Sequence, residues 1–297
     1  MKIVVIGSIN MDYSAKVNKL PQKGETIRAN EFYTTAGGKG ANQAVAAKRL
    51  GADVYMIGAV GDDSAGKELC RRLEAEGVKA HGIKTVDTPS GNAMITVDVT
   101  GNNTIVVFAG ANSEMNEDWL MKNKSIIEEA DYVIIQLEIP METVKAAIRF
   151  SKSLDRKVIL NPAPAAEMPE EVYKGLDLMT PNETELAEIT RTTDIKEGAK
   201  QLLKKGVKSI VVTLGEKGSL YMDDTNEVYT NPYQVDAIDS TAAGDSFNAA
   251  LAVGLSEDMS LEDALKFANA AGALTTTKLG AQASLPYRDE VNTFIKS

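Results

Sequence analysis

Ile3-Val4-Val5-Ile6-Gly7 opens the chain with four consecutive apolar residues that stop at a glycine. An uninterrupted apolar run of this length predicts a strand buried on both faces, as in a parallel sheet. Polar residues follow at once in Ser8-Ile9-Asn10-Met11-Asp12. Ligands of open parallel sheets bind beyond the carboxyl ends of the strands. Asn10 and Asp12 are therefore candidates for binding hydroxyl groups, although both residue types also serve as ordinary turn formers.

The same unit recurs along the chain: an apolar strand, a polar or glycine-bearing turn, then a helix. Further strands are predicted at 54–61, 132–137, 158–160, 177–180 and 209–214. This order predicts an α/β fold, doubly wound, with a mainly parallel central sheet and helices on both faces. The intervening turns should then gather along one edge of the sheet; they contain Asn10, Gly38, Glu138, Asn182, Gly215 and Gly244.

Two stretches, about 11–36 and 92–108, have β-prone residues without a helical period. The second contains Thr100-Gly101-Asn102-Asn103 between two apolar runs, which predicts a hairpin. We expect the two stretches to form a small β lid on a single domain that spans residues 1–297. Because exposed sheet edges must be covered, a homodimer through the lid is expected.

Two glycine-bearing turns are predicted to begin helices and to bind anions. Ala242-Ala243-Gly244 precedes a helix whose first turn contains Asp245, and Gly37-Gly38-Lys39-Gly40 precedes an alanine-rich helix that begins near Asn42. Free N–H groups and the positive dipole end make a helix start a phosphate site. A carboxylate beside such a site suits phosphoryl transfer to a hydroxyl. Asp245 could equally be an acidic residue that only stabilises its helix.

Composition excludes several classes of function. Lys plus Arg number 32 against 42 Asp plus Glu, a net charge of −10 that argues against nucleic acid and anionic membranes as partners. The only cysteine, Cys70, cannot form an intramolecular disulfide. With an N-terminal apolar run too short for a signal peptide, this predicts a cytoplasmic protein. The only histidine, His81, has no partner for a metal site.

Gly37-Gly38-Lys39-Gly40-Ala41-Asn42-Gln43-Ala44 and the stretch Asp239–Phe247 resemble the two signature regions of the ribokinase-like sugar kinase family. The segments 7–12, 181–185 and 213–215 also match, in the family's order, so the resemblance covers essentially the whole chain. It implies ATP-dependent phosphorylation of D-ribose at the 5-hydroxyl to give ribose 5-phosphate. Deoxyribose, another sugar or a nucleoside remain alternative substrates.

The resemblance also implies roles for individual residues. Asp245 would be the catalytic base, and the backbone of Ala243, Gly244 and Asp245 would form the anion hole. The implied sugar-binding residues are Asn10, Asp12, Gly38, Lys39, Asn42, Glu138 and Asp245. The implied ATP-binding residues are Asn182, Thr213, Leu214, Gly215, Glu216, Lys217, Gly218, Gly244 and Asn269. Glu185 would place Mg²⁺ through water, and a monovalent cation, K⁺ by expectation, would lie near Asp239, Thr241, Thr275, Lys278, Gly280 and Ser284.

One departure and two alternatives accompany this interpretation. Ala242-Ala243 stands where many relatives have a glycine. The anion hole is still expected, because backbone N–H groups rather than side chains bind the anion. A helix start should keep Asp245 ionised and ready to accept a proton. A non-catalytic sugar- or nucleotide-binding protein on this fold would be expected to lack Asp245. A dinucleotide-dependent dehydrogenase would need Gly-x-Gly-x-x-Gly after the first strand, which reads Gly7-Ser8-Ile9-Asn10 instead.

Overall fold

Strands and helices alternate along most of the structure, a computed structural model that describes residues 1–296. The strands in those residues are β1 (Lys2–Ile6), β2 (Asn10–Val17), β3 (Glu31–Gly37), β4 (Asp53–Gly61), β5 (Lys79–Val86), β6 (Gly91–Asp98), β7 (Asn103–Phe108), β8 (Tyr132–Gln136), β9 (Lys157–Asn161), β10 (Leu178–Met179), β11 (Ser209–Thr213), β12 (Ser219–Asp223) and β13 (Glu227–Thr230).

The α-helices in the described residues are α1 (Lys39–Arg49), α2 (Ser64–Ala75), α3 (Glu117–Lys122), α4 (Lys124–Glu128), α5 (Met141–Ser153), α6 (Glu170–Lys174), α7 (Glu183–Thr190), α8 (Ile195–Lys204), α9 (Ala243–Ser256), α10 (Leu261–Thr276), α11 (Ala281–Ser284) and α12 (Arg288–Lys296). Short 3₁₀ turns lie at Gly110–Glu114 and Gly215–Lys217.

The central sheet has nine strands in the order β13-β12-β11-β10-β9-β8-β1-β4-β5. In that order, the strands from β11 through β10, β9, β8, β1 and β4 to β5 are all parallel to their neighbours. The strands β12 and β13 form an antiparallel edge. Successive residues of a strand face opposite sides of the sheet. Accordingly, Val5 packs in a core with α1, α2, α9 and α10, whereas Val4 and Ile6 pack in a second core with α3 to α8. Helices thus cover both faces, which confirms the predicted doubly wound fold.

A second, four-stranded sheet has the order β3-β2-β6-β7. Its strands β2 and β6 pair in parallel, and β6 and β7 form the predicted hairpin around residues 99–102. Asn10 is the first residue of β2, so this small sheet begins where the loop after β1 ends. The small sheet therefore stands directly beside the carboxyl edge of the central sheet.

The sequence pattern also predicts a helix across 116–129, a helix from Leu261 to Leu279 and an extended run at 228–238, and each ends differently in the structure. The helix expected across 116–129 breaks at Asn123, whose side-chain amide donates to the Trp119 carbonyl at 2.8 Å. The helix expected to reach residue 279 ends at Thr276. The extended run expected at 228–238 is strand only to Thr230, after which a loop leads to α9. Such boundaries depend on local side-chain bonds that apolar periodicity does not report.

Two glycines allow α1 to begin directly against β1. Gly38 caps α1 with φ of 88°, a left-handed conformation that favours glycine. Gly40 lies inside the helix, and a Cβ there would be 2.7 Å from the carbonyl carbon of Gly7. This close approach brings the first turn of α1 over the end of the first strand.

Gly40→Ala should destabilise the protein by about 1–3 kcal/mol, because the added methyl group forces α1 away from β1. In an unobstructed helix the same change stabilises by about 0.5–1 kcal/mol, so the sign of the effect is diagnostic. Gly272→Ala in α10 is the matched control, since its Cβ would have no contact closer than 3.4 Å. Urea unfolding measures both, and a Gly40→Ala variant as stable as wild type would contradict the packing argument.

Candidate active site

The N-termini of α1 and α9 meet at the carboxyl edge of the central sheet. Asp245, in the first turn of α9, is buried with 6% exposure. Its Oδ2 accepts a hydrogen bond from Asn42 Nδ2 at 3.0 Å, and its Oδ1 accepts one from Gln43 Nε2 at 2.9 Å. The two signature stretches, about 200 residues apart in sequence, are therefore joined through the Asp245 carboxylate.

Burial raises the pKa of Asp245, which is the opposite direction to that expected from the helix start alone. The charge of Lys39 and the hydrogen bonds of Asn42 and Gln43 oppose this rise, whereas Glu138 adds to it. The carboxylate form of Asp245 thus depends on side chains that α1 supplies. A raised pKa also makes this carboxylate a better proton acceptor.

Lys39 lies among three carboxyl groups. Although burial acts to lower it, the pKa of the Lys39 ammonium is raised by Asp245, Glu138 and Glu185. Glu138 follows β8, and Glu185 is in the first turn of α7. The positive charge of Lys39 therefore interacts with the implied catalytic base, Asp245, with the implied sugar ligand Glu138 and with the implied Mg²⁺ ligand Glu185.

The predicted sugar-binding residues line the gap between α1 and the small sheet. Asn10 is buried, and its Oδ1 accepts a hydrogen bond from Asn112 Nδ2 at 2.7 Å. Asp12 packs over Gly37, where a Cβ would be 2.2 Å from Asp12 Oδ2. Burial, with the charge of Glu138, raises the pKa of Asp12 to about 7. Among the residues described here, the buried Asn42 Oδ1 has no hydrogen-bond partner, which marks an acceptor for a ligand hydroxyl.

Glu138, a predicted sugar-binding residue, also stabilises the local structure. Its Oε2 accepts hydrogen bonds from the Ser8 hydroxyl and, at 3.1 Å, from the backbone N–H of Lys39. It therefore fixes the start of α1 against the loop after β1. This places the Glu138 carboxylate beside Asp12 and Asp245, whose pKa values it raises.

The turn before α9 has a left-handed residue, Ala242, with φ of 62°. The backbone N–H of Ala243 donates to the Ser240 carbonyl at 3.2 Å. No carbonyl within residues 1–296 accepts a hydrogen bond from the N–H groups of Gly244 and Asp245. Of the three N–H groups predicted to form an anion hole, these two are free to bind an anion. Gly244 is exposed, and a Cβ on it would meet no atom within 4 Å.

Hydrogen bonds join the segments that contain the predicted nucleotide-binding residues. Thr213 N–H donates to the Pro181 carbonyl at 3.0 Å, which joins the end of β11 to Asn182. The turn Gly215–Lys217 and Gly218 follow directly. Asn269 of α10 donates to the Ser219 hydroxyl at 3.1 Å, so it lies beside the same turn.

Asn182 and Glu185 form a capping box at the start of α7. Asn182 Oδ1 accepts from the Glu185 N–H at 2.8 Å, and Glu185 Oε2 accepts from the Asn182 N–H at 2.9 Å. Asn182 is therefore the N-cap residue, and Glu183 and Thr184 follow it inside the helix. Burial raises the pKa of Glu185, with Asp245 adding to the rise. One Glu185 oxygen remains outside the capping box and is available for a water-bridged Mg²⁺.

The residues predicted to hold a monovalent cation fall into adjoining loops. Asp239 Oδ1 accepts from the Thr241 N–H, and Asp239 Oδ2 accepts from the Gly280 N–H, both at 2.9 Å. These bonds lower the pKa of Asp239 although burial acts to raise it. The side chains of Thr275, Lys278 and Ser284 bond to Ala271, Glu290 and Ala281 respectively. Lys278 therefore has only its backbone carbonyl to offer a cation, whereas the donating hydroxyls of Thr275 and Ser284 keep oxygen lone pairs besides their backbone carbonyls.

Sequence reasoning missed a buried polar network beneath Asp245. Gln43 joins Asp245 to Gln136 and Asn161, and Asn161 in turn donates to the Thr180 carbonyl. Thr180 donates to Asn248, which donates to the Gly244 carbonyl at 2.8 Å. The available signal was that Gln136, Asn161 and Thr180 each end an apolar strand. Their partners could not be chosen from spacing.

Similarity to known proteins agrees with this geometry. A family model described as pfkB family carbohydrate kinase matches residues 1–288. The chain belongs to the pfkB family of carbohydrate kinases. The predicted fold and the predicted sugar kinase class are thereby confirmed.

Individual pfkB relatives are similar over their full length. Ribokinase from Bacillus subtilis (strain 168) is 41% identical over 290 residues, covering 97% of each chain. Deoxyribokinase from Salmonella typhi is 37% identical over 302 residues, covering 99% of each. The structure of Arabidopsis thaliana ribokinase complexed with ribose and ATP superposes with a TM-score of 0.95 at 34% identity, covering 99% of this chain and 98% of that one.

No helix within residues 1–296 of the kinase is long and apolar enough to cross a membrane. The same residues contain no group of three or more His, Cys, Asp and Glu side chains that could hold a metal ion.

Asp12→Asn should stabilise this kinase more at pH 8 than at pH 4.5. The Asp12 pKa rises from an ordinary value of 3.8 to about 7 on folding, so the native state holds the extra proton between these values. Stability accordingly falls as the pH rises from about 4 to about 7, and the penalty is fully present above pH 7. Thermal melts at the two pH values measure the difference.

Asp87→Asn, at an exposed position, controls for the loss of one negative charge. We expect the melting temperature of Asp12→Asn to exceed that of wild type by several degrees at pH 8 and by much less at pH 4.5. Equal shifts of the melting temperature at both pH values would show that folding does not raise the Asp12 pKa.

Proposed function

We propose that this kinase transfers the γ-phosphoryl group of ATP to the 5-hydroxyl of D-ribose, giving ribose 5-phosphate and ADP. The observation that carries the proposal is the buried Asp245 carboxylate, which α1 holds at the start of α9. Sugar-type hydrogen-bonding groups lie on one side of it and the nucleotide-type turn 213–218 on the other. The likeness to Arabidopsis thaliana ribokinase complexed with ribose and ATP supports the choice of substrates.

The reaction needs little covalent chemistry from the protein. The sugar 5-oxygen forms a bond to the γ-phosphorus while the bond from that phosphorus to the bridging oxygen of ADP breaks. Asp245 accepts the hydroxyl proton, and the N–H groups of Gly244 and Asp245 face the charge on the transferring group. Asn10, Asp12, Gly38, Lys39, Asn42 and Glu138 hold the sugar, and Asn182, Thr213–Gly218 and Asn269 hold the nucleotide.

Two cations complete the proposal. The free Glu185 oxygen would hold Mg²⁺ through water, and the ion would neutralise charge on the phosphates. A monovalent cation, K⁺ by preference, would be held by backbone carbonyls near Asp239, Thr241, Thr275, Lys278, Gly280 and Ser284, oxygen ligands of the kind that bind K⁺. The fit of this site rests on Asp239, which joins two of its loops. The assay below, with potassium replaced by tetramethylammonium, tests it.

Deoxyribose is the second candidate, because a deoxyribokinase is 37% identical to the chain. The two sugars differ by the 2-hydroxyl. A site built to bond a hydroxyl rejects the analogue that lacks it, since its own buried groups are left unpaired. The buried Asn10 and Asn42 and the partly buried Asp12 make this site such a case.

Asp245→Asn should lower kcat with D-ribose by about 10²–10⁴-fold, the range typical of a lost general base. Ribose binding, measured by calorimetry, should change much less. A coupled ADP-release assay of wild type should show about 5–150-fold higher kcat/KM for D-ribose than for 2-deoxy-D-ribose, from the 1–3 kcal/mol of an unpaired buried group. Near-normal turnover by Asp245→Asn would defeat the base assignment. Turnover of only fructose or a nucleoside would defeat the choice of ribose.

We further propose a single cytoplasmic domain that dimerises through the small sheet, which acts as a lid over the sugar. All six residues of β7 are exposed, and most are apolar. Val106 is 66% exposed, and Met94 on β6 is 60% exposed. An apolar edge strand of this kind is an association site unless another surface covers it. A second copy of the chain offers a matching surface.

Val106→Lys should convert the dimer to a monomer, because it places a charge in the centre of the proposed contact. Met121→Lys on α3, where the side chain is 53% exposed, is the matched control and should not change the assembly. Size-exclusion chromatography with light scattering measures the mass of each. A monomeric wild-type protein at working concentration would overturn the proposed assembly.

A further inference from the structure

Gln43 has no exposed surface, yet each polar atom of its side chain has a partner. Its Nε2 donates to Asp245 Oδ1 at 2.9 Å and to Asn161 Oδ1 at 3.1 Å. Its Oε1 accepts from Gln136 Nε2 at 2.6 Å. A fully satisfied buried amide of this kind is rigid, because any rotation breaks several hydrogen bonds at once.

The direction of the Gln43 amide is determined by its neighbours. Reversing it would place Gln43 Oε1 against the Asp245 carboxylate and Asn161 Oδ1, which are both acceptors. Asn161 cannot reverse to compensate without losing its own donation to the Thr180 carbonyl at 3.3 Å. Gln136 in turn presents its amide nitrogen to Gln43, and its Oε1 has no partner within residues 1–296. Gln136 therefore donates a hydrogen bond to Gln43, and Gln43 donates one to Asp245.

These hydrogen bonds give the two oxygens of the Asp245 carboxylate different surroundings. Oδ1 is bonded to the buried network, whereas Oδ2 is bonded to Asn42, whose own oxygen has no partner in the described residues. Asn42 is one of the residues assigned to the sugar. Only Oδ2 therefore lies next to a group that a bound sugar would engage.

We infer that Gln43 is a positioning residue that anchors Asp245 Oδ1, so that Oδ2 alone receives the proton of the sugar hydroxyl. The inference rests on the proposed function, because it deepens the role of Asp245 as base. Gln136 and Asn161 orient Gln43 and act one step further away. Gly7 is part of the arrangement, since a Cβ there would be 1.9 Å from Gln136 Oε1.

The charged groups that face Asp245 come from three elements besides α9. They are Lys39 at the start of α1, Glu138 after β8, and Glu185 in α7. Lys39 favours the ionised form of Asp245, and the two glutamates oppose it. Gln43 is an uncharged donor that also favours the ionised form, through its hydrogen bond to Asp245 Oδ1. Its loss should both free the carboxylate to rotate and raise the pKa of Asp245, because a hydrogen bond to the charged form is removed.

Gln43→Leu, which removes both polar ends at similar volume, should lower kcat at pH 7 by about 10–100-fold, from the loss of a hydrogen bond to a charged group. KM for ATP should stay within about twofold. The acidic limb of kcat against pH should move to higher pH by about half to one unit. The loss of kcat relative to wild type should therefore be smaller at pH 9 than at pH 6, and the loss that remains at pH 9 measures lost positioning.

Gln136→Leu should lower kcat and shift the acidic limb in the same direction to a smaller extent. This variant replaces Gln43→Leu in the test if Gln43→Leu does not fold.

Thr180→Val is the control for a general disturbance of the buried network. Thr180 bonds to Asn248 and is not a partner of Asp245 or Gln43. This change should lower the melting temperature and leave the acidic limb in place. An unshifted limb with normal kcat in both Gln43→Leu and Gln136→Leu would overturn the inference, as would the same limb shift in Thr180→Val.

The Asp245→Asn assay separates this inference from the proposed function. Strong impairment of Asp245→Asn together with an unchanged profile of Gln43→Leu overturns only the role of Gln43. Near-normal turnover of Asp245→Asn overturns the base assignment itself. If another sugar proves to be the substrate, the same pH profiles with that sugar test Gln43 unchanged.

Discussion

The Asp245 carboxylate is buried, and burial of an ionised group costs several kcal/mol unless charges and hydrogen bonds compensate for it. The compensation comes almost entirely from the first turns of α1, through Lys39, Asn42 and Gln43. The two helices must therefore start next to each other, and the rest of the structure follows from that constraint. Glycines at positions 38 and 40 let α1 begin against β1, while Glu138 holds its first N–H group. The small sheet begins at Asn10, beside the same gap.

The groups proposed to bind the sugar and those proposed to bind the nucleotide lie at different positions along the same carboxyl edge of the central sheet. The loops after β1 and β8 provide the sugar-type groups, and the loops after β10 and β11 provide the nucleotide-type turn. Lys39 lies between carboxyl groups of both sides and is held there by their fields. The proposed transfer of a charged phosphoryl group to an uncharged hydroxyl would take place next to this ammonium group, where positioning and charge stabilisation decide the rate.

Apolar runs predicted the parallel strands of the central sheet that are buried on both faces, because such burial requires consecutive apolar residues. They did not predict the edge strand β5, in which only Gly82 is buried. The turns after them were predicted to meet at one edge, and Asn42 does meet Asp245 there. What could not be predicted was which buried polar groups pair, since Gln43 finds its partners 118 and 202 residues away. The break at Asn123 and the capping box of Asn182 arise from single side-chain bonds without periodicity. The raised pKa of Asp245 likewise follows from burial in three dimensions, which opposes the local helix effect.

The hydrogen bonds that Asn10 and Glu138 make to Asn112, Ser8 and Lys39 have a consequence for molecular recognition. A side chain already held in one rotamer loses little conformational entropy when a ligand arrives. The free protein therefore presents Asn10 and Glu138, two of the groups proposed to bind the sugar, in nearly fixed positions, and a sugar need not order them. Selectivity among pentoses would then arise from the fit of hydroxyl groups to a rigid template.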